Sequence, residues 1–292
     1  MKGFIFGFLL VLPSLSNANE ALKASLEGSY SIWRDSMVKK DYRVWQQVTA
    51  AHRQVEVRNR IVSEKLPFPS SIFHLPAEPP VLHGLKFLSI SRSGPTAKAI
   101  YFGKVNFGVG GEPTENLLVL SFVQGANRFL YDKAEYVNLT ALPDVRKELA
   151  AGDLSYLEGV PEAKASGVVP PTPVVVQPAT IIAKVYVFCP GREVEVMVNK
   201  VSRHKFINGK EAETVIGGAR DGVNEVQYAI RKLDEGKGDE AMTIRVYLLS
   251  EIQGVKPIKA FEYQVGEKGA VSAHGSGSFI VDQATLKMLK GK

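Results

Sequence analysis

The stretch DYRVWQQVTAAHRQVEVRNRIVS, residues 41–63, holds the most regular pattern in the chain and decides how its N-terminal part folds. Apolar and aromatic residues recur along it every three or four positions, which is typical of a helix with one face packed against a larger surface. The stripe consists of Tyr42, Trp45, Val48, Val55 and Val62, with the polar residues His52 and Asn59 among them. Since Asp41 is a suitable N-cap, the pattern predicts one long helix over 41–63.

The composition is that of a globular protein with enough residues for two domains. The 292 residues are 45% hydrophobic and 23% charged, which is in the range of ordinary folded chains. A net charge of +6 favours anionic partners, but no basic stretch is interleaved with aromatic residues and no nucleic-acid-binding motif occurs. We therefore expect no nucleic-acid partner.

The first residues have the pattern of a secretory signal peptide. Lys2 supplies the positive start, residues 4–12 the apolar run, and Ser16, Asn17 and Ala18 the small-residue cleavage pattern. An apolar run of this length is too short to cross a bilayer. We expect a signal peptide over 1–18, cleavage near Ala18, and an exported product in the periplasm or the extracellular space, without a transmembrane span.

Helices and then strands are predicted for residues 19–158. A helix over 20–38 precedes the long one, and a proline-punctuated, partly apolar loop over 66–82 is expected to cover part of the core. An antiparallel meander follows. Its strands are predicted at 85–92, 96–108, 117–124 and 128–137, and a short helix at 144–151.

The sequence of the C-terminal part predicts a linker followed by a β-domain. Residues 159–180 are rich in proline and β-branched residues and are predicted to form a semi-rigid extended linker. Short strands with turn residues between them then predict a β-sandwich over 181–292. These strands are expected at 181–189, 193–199, 213–216, 224–230, 242–250, 258–265 and 278–281, before a short helix at 282–289.

Three segments of the N-terminal part resemble the NTF2-like (SnoaL-like, cystatin-like) α+β superfamily. They are IWRDSMVKKDYRVW, LKFLSISRSGPTAKAIYFGKV and LLVLSFVQGANRFLYDKAEYV. The resemblance implies helices packed on a curved antiparallel sheet. The segments VNKVSRHKFING and RDGVNEVQYAI are similar to immunoglobulin-like sandwich modules of exported bacterial proteins. The expected fold class is thus an α+β NTF2-like domain followed by an all-β sandwich.

The NTF2-like resemblance also implies a pocket between helix and sheet. In some relatives this pocket is an enzyme site, as in ketosteroid isomerases and scytalone dehydratases, whereas other relatives only bind or assemble, often as dimers through the open sheet face. The ligand-binding candidates that the resemblance places there are Tyr42, Trp45, His52, Tyr101, Asp132 and Tyr136.

His52 is the candidate on which enzyme and scaffold interpretations differ. On an apolar helix stripe it is either a general base or ligand-orienting donor, or a histidine at the core edge whose nitrogens are satisfied by neighbours. Asp132 either faces inward and orients the His52 ring or is a solvated carboxylate. Both alternatives stay open at this point.

Other chemistry is weakly indicated. The single cysteine, Cys189, permits no intrachain disulfide and is expected to be a small buried hydrophobe. No metal-ligand spacing and no phosphate-binding loop occurs, so we expect no metal and no cofactor. The basic residues of 192–210 either meet an anionic partner or, as we expect, protect a strand edge from pairing. Tyrosines within the predicted strands are candidates for glycan contacts or ordinary strand residues: Tyr186, Tyr228, Tyr247 and Tyr263.

The sequence therefore favours an exported, non-catalytic binding or assembly protein of the cell envelope, with a homodimer through the NTF2-like sheet as the expected assembly. The alternatives are a small-molecule isomerase, dehydratase or hydrolase acting in the NTF2-like pocket with His52 as base, and glycan binding by the sandwich.

Overall fold

A computed structural model describes residues 15–106, 113–234 and 236–291, and they form two compact units. The first unit holds the described residues up to Gln54 together with Phe73–Pro171. The second holds Val55–Ile72 and the described residues from Thr172 onward. The apolar run at 4–12 lies outside the described residues, so the signal peptide remains a prediction.

Helices open the chain, but the predicted helix over 41–63 is wrong in one respect: it is broken. The observed elements are α1 Leu15–Lys39, α2 Tyr42–Val48 and α3 Ala51–Ser63. Asp41 caps α2 as expected, since its carboxylate accepts the Val44 N–H at 3.0 Å. The break occurs because the backbone at Thr49 forms a β-bridge with Tyr131, and the Ala50 N–H donates to the Tyr131 carbonyl at 2.8 Å.

The first unit contains one antiparallel sheet, sheet A, with its strands in chain order as predicted. Its strands are β1 Lys86–Ser93, β2 Thr96–Val105, β3 Thr114–Gln124 and β4 Phe129–Val137. The predicted end of the second strand, at 108, lies outside the described residues. In β3, eight successive residues from Asn116 to Val123 are buried. Both faces of a strand with that pattern must be covered, unlike those of a half-exposed sheet.

Different helices cover the two faces of sheet A. On one face α1 and α2 contact β4. On the other face, Ile100, Phe102, Leu117 and Val119 pack with Leu149 and neighbouring residues in one apolar cluster. That cluster draws on α4 Pro143–Ala151, α5 Ser155–Glu158 and the 3₁₀ helix Pro161–Ala163. Helices of this chain thus pack on both faces of sheet A.

The proline-rich stretch 159–180 is packed at both ends. Val160 and Ala163 are buried in the apolar cluster of the first unit. In the second unit, the Asn59 side chain of α3 donates to the Val174 carbonyl at 2.8 Å and accepts from the Val176 N–H at 3.1 Å. Both ends of the stretch predicted as a linker therefore have packing or hydrogen-bond partners.

Two further four-stranded antiparallel sheets form most of the second unit. Their strands are β5 Ile182–Phe188, β6 Arg192–Val198, β7 Ser202–Ile207, β8 Lys210–Thr214, β9 Gly222–Lys232, β10 Met242–Leu249, β11 Ile258–Val265 and β12 His274–Val281. Sheet B has the order β11-β10-β5-β8 and sheet C the order β12-β9-β6-β7. Strand β7 was not among the predicted strands, and β8 begins three residues earlier than expected.

One apolar core is shared by sheets B and C, because alternate residues of their strands point inward. Val185, Val187 and Val246 come from sheet B, while Val196 and Val226 come from sheet C. Helix α6, Gln283–Leu289, closes the chain; its N-cap Asp282 accepts the Thr285 N–H at 2.8 Å.

The architecture is thus mixed α and β, with mostly antiparallel sheets. Within the described residues, no helix is both long enough and apolar enough to cross a membrane.

Candidate functional site

His52 and Asp132 form a buried pair in the first unit. The His52 Nε2 atom lies 2.8 Å from Asp132 Oδ1. The two residues are only 3% and 8% exposed. Of the two sequence alternatives for Asp132, the inward-facing one is the observed geometry.

A β-bulge places Asp132 at this position. The pairing of β3 with β4 shifts between Ser121 and Phe122, so that Tyr131 pairs with Phe122 and Lys133 with Ser121. Asp132 is the extra residue between them, and a bulge re-aims such a side chain. His52 comes from the first turn of α3, directly after the break that the Tyr131 carbonyl fixes. One short segment of β4 therefore sets both the helix break and the partner of His52.

Large aromatic side chains surround this part of the core. The Trp33 ring stacks on the Tyr131 ring with 3.8 Å between centroids, and Tyr30 lies 6.0 Å from Tyr131. Phe122 meets the Tyr131 ring edge-on at 6.3 Å. The space between helix and sheet is consequently filled by side chains here, and His52 does not line any of the described cavities.

A groove of about 600 Å³ lies elsewhere in the first unit, between α1, the segment 81–85 and sheet A. Its apolar floor includes Phe87 and Tyr101, and its helix side is polar. The polar lining residues are Lys23, Glu27, Ser31, Arg34, Asp35 and His83. A groove with an apolar base and a few polar groups along one wall is the usual form of a ligand site.

Tyr101 and Glu27 make the central polar contact of the groove. The Tyr101 hydroxyl donates to Glu27 Oε1 at 2.9 Å, and Lys23 pairs with the same carboxylate at 3.1 Å. Burial raises the pKa of Tyr101 well above its usual value, and the hydrogen bond to Glu27 adds to the effect. Tyr101 therefore stays protonated and acts as a fixed donor.

Arg34 and Tyr30 tie the groove wall to the proline-punctuated loop. The Arg34 Nε–H donates to the Pro79 carbonyl at 2.8 Å, and the Tyr30 hydroxyl donates to the Pro80 carbonyl at 2.7 Å. Residues Pro79 and Pro80, near the end of the loop, are thus bonded to α1 within the first unit.

The structure separates the six pocket candidates instead of gathering them. Tyr101 lines the groove, whereas His52 and Asp132 form the buried pair. Tyr42 stacks on Trp45 at 5.9 Å on α2, and Tyr136 is exposed on β4. Sequence reasoning missed Lys23, Glu27 and Arg34. The spacing of Lys23 and Glu27, four positions apart on a helix, was the available signal.

The second unit holds a Ser–His contact that sequence reasoning also missed. Ser202 Oγ lies 2.6 Å from His204 Nε2 and accepts the Ile216 N–H at 2.8 Å. Ser202 is fully buried, so the pair resembles a nucleophile and base only in distance. Burial lowers the pKa of His204, and the nearby Arg60 lowers it further while Glu213 opposes them.

The basic segment and the tyrosines of the second unit have ordinary structural partners. Lys205 pairs with Glu193 at 2.8 Å, and the buried Arg192 donates to the Gly238 carbonyl at 2.8 Å. The Tyr228 and Tyr263 rings lie 4.6 Å apart in a tilted arrangement and pack against the shared core. Among the residues that the structure describes, no cluster of three or more His, Cys, Asp or Glu side chains could hold a metal ion.

No protein-family model, no curated protein and no solved structure matches this chain. What bears on function is therefore the groove beside Tyr101, the buried His52–Asp132 pair and the outer surfaces of sheets B and C.

Proposed function

We propose that this protein is an exported, non-catalytic binding or assembly protein of the cell envelope. Its first unit would be an NTF2-like domain that binds its ligand in the groove beside Tyr101, and its second an immunoglobulin-like β-sandwich. The observation that carries the proposal is the burial of His52 with Asp132 inside packed aromatic side chains. A substrate could therefore not reach His52, the candidate general base, whereas the groove beside Tyr101 is open.

The groove has the character of a binding surface. Its acidic and basic groups are paired along α1, as in the Lys23–Glu27 contact, and its floor is aromatic. Paired charges of both signs beside apolar rings suit a ligand with polar and apolar parts, such as a peptide or glycopeptide segment of the envelope.

Cosedimentation of the purified exported protein with isolated envelope fractions tests this proposal. Ser31 is exposed on α1 and lines the groove, so Ser31→Trp would fill it without removing a contact that holds the fold. Ser25→Trp, at an exposed position of the same helix, is the matched control. We expect the wild type and the control to sediment with the envelope and Ser31→Trp to bind at least about tenfold more weakly. A wild-type protein that stays in the supernatant with every fraction would remove the proposal.

The rival proposal is an enzyme acting in the first unit, and one observation favours it. Glu27 and Tyr101 place a carboxylate and a protonated phenol in hydrogen-bond contact at the groove, and such groups can transfer protons. If His52 were the base instead, reagents would have to reach it. Acylation of histidines by diethyl pyrocarbonate, followed by mass spectrometry, tests whether His52 is accessible enough to act as the base. We expect His74, His83 and His274, which are exposed, to react and His52 to be protected.

A further inference from the structure

Strand β12, His274–Val281, differs from the other strands that lie at sheet edges in the described residues. Its sequence, HGSGSFIV, contains no Asp, Glu, Lys or Arg. The other edge strands, β1, β4, β7, β8 and β11, all contain charged residues. Charged side chains on an edge discourage pairing with another chain, so β12 lacks the usual protection.

The backbone of β12 is also regular. All eight residues pair with β9 in continuous register, from His274 opposite Ala229 to Val281 opposite Gly222. By contrast, a register shift interrupts the pairing of β1, β4 and β11 with their neighbours. An uninterrupted, uncharged edge is the form that accepts a further strand.

Core packing explains the two glycines of β12. Their lack of a side chain lets neighbouring aromatic rings contact the strand backbone closely. A Cβ atom on Gly275 would lie 2.4 Å from the Tyr228 hydroxyl, and one on Gly277 would lie 2.5 Å from the Phe261 ring. The aromatic rings therefore press directly on the strand backbone. This strand is fixed against the core and does not need to be ordered when a partner binds.

We propose that β12 pairs antiparallel with β12 of a second copy of this chain, joining two copies of sheet C across a twofold axis. A twofold interface brings the same strand against itself. With the twofold axis at Gly277, Ser276 of one copy would lie opposite Ser278 of the other on the outer face, and His274 opposite Ile280, so that no Asp, Glu, Lys or Arg meets its own copy. The same pairing at β7 would bring Arg203 and Lys205 close to their own copies. Ile280 and its cross-strand neighbour Val223, which are 63% and 54% exposed, add apolar area at one end.

This inference concerns a different surface from the groove and stands apart from the proposed function. A monomeric β12 variant that still binds the envelope would separate the two, since envelope binding is assigned to the first unit.

Sedimentation velocity over a concentration series tests the pairing. Ser276→Lys combined with Ser278→Lys places like charges opposite one another in the pair, which is destabilising. The matched control is Val201→Lys combined with Ile207→Lys, which adds the same charge at exposed positions beside and within the opposite edge strand β7. We expect the wild type and the control to dimerise with similar dissociation constants. The dissociation constant of the β12 variant should be at least about tenfold higher.

Hydrogen exchange of residues 274–281 provides a second measurement. In the wild type, protection of these amides should rise with protein concentration, and in the β12 variant it should not, while circular dichroism shows both to be folded. A wild type that is monomeric at every concentration, a β12 variant that dimerises like the wild type, or a control that loses the dimer equally would each overturn the inference.

Discussion

The bond between His52 and Asp132 joins the start of a helix to a β-bulge, and both ends of it are buried. A buried polar group that loses its partner costs about 1–3 kcal/mol. We therefore expect Asp132→Ala to destabilise the first unit by that order. Both tryptophans, Trp33 and Trp45, belong to this unit, so denaturant unfolding followed by tryptophan fluorescence reports on it directly.

The matched control for this bond is Asp132→Asn. It keeps the size of the side chain and an atom that can hydrogen-bond to His52 Nε2, so its loss of stability should be clearly smaller. Equal losses for the two variants would mean that the contact contributes little and that the site tolerates an unpaired imidazole.

Sequence reasoning selected His52 and Asp132 but could not choose between their alternatives. Alternation along β4 puts Asp132 on a face without saying which face is inward, and the bulge arises only from pairing with β3. The break between α2 and α3 could not be predicted from the sequence for a similar reason. It depends on the Tyr131 carbonyl, far along the chain from Ala50, and the apolar stripe continues through it.

Elements with local determinants were predicted more closely. The capped helix start at Asp41 and the four strands of sheet A follow from side-chain chemistry and alternation within a few residues. Strand β7 was missed because its inward positions are Ser202, His204 and Phe206, only one of which is apolar. The groove was missed because packing on sheet A, not the sequence of α1, decides which polar residues of the helix face inward.

Helix α1 contains a residue that weakens it without any packing benefit. Gly28 is exposed in the helix, and a Cβ atom there would meet nothing within 4 Å. Glycine in a helix interior is less stable than alanine by about 0.5–1 kcal/mol. We expect Gly28→Ala to raise the stability of the first unit by that amount in the same fluorescence measurement. Unchanged or lower stability would show that α1 frays at this point or that Gly28 has a role beyond the helix.

Two neighbouring side chains of α3 bond to the proline-rich stretch in the second unit: Asn59, and Arg58, whose guanidinium donates to the Val176 carbonyl at 2.8 Å. Asn59 is buried and supplies two of these bonds, one to the Val174 carbonyl and one from the Val176 N–H. Asn59→Ala should release residues 172–178 and make them more sensitive to proteolysis. Limited digestion with mass spectrometry measures this. Arg60→Ala, at an exposed position of the same helix, should leave the cleavage pattern unchanged.

At the scale of the whole molecule, the second unit should lose stability in mild acid because it contains His204. Burial lowers the pKa of His204 below its ordinary value of 6.5. The Ser202 contact agrees with a neutral ring: Ser202 Oγ accepts the Ile216 N–H, so its hydroxyl can donate to an unprotonated Nε2. Below about pH 6.5 the unfolded chain therefore takes up a proton that the folded unit resists. The free energy of unfolding of this unit consequently decreases as the pH decreases.

Carboxylates in the same unit have a separate pH window. Hydrogen bonds from Lys205 and Lys259 lower the pKa of Glu193 and Glu262 from 4.5. Their contribution is present above that ordinary value and is lost as the pH falls below it. Between pH 7 and pH 5 the acid sensitivity of the second unit should therefore come mainly from His204, and only further acidification should involve the carboxylates.

Scanning calorimetry of the wild type and of His204→Gln between pH 7 and pH 5 measures this contribution. We expect the melting temperature of the second unit to fall across this range in the wild type and to fall less in the variant. His274→Gln removes an exposed histidine from the same unit and should behave like the wild type. The physical reason is that burial lowers the pKa of His204 in the folded unit, so His204→Gln removes a group whose protonation opposes folding. If His274→Gln flattened the profile as much as His204→Gln did, general charge, and not the Ser202 contact, would control the response.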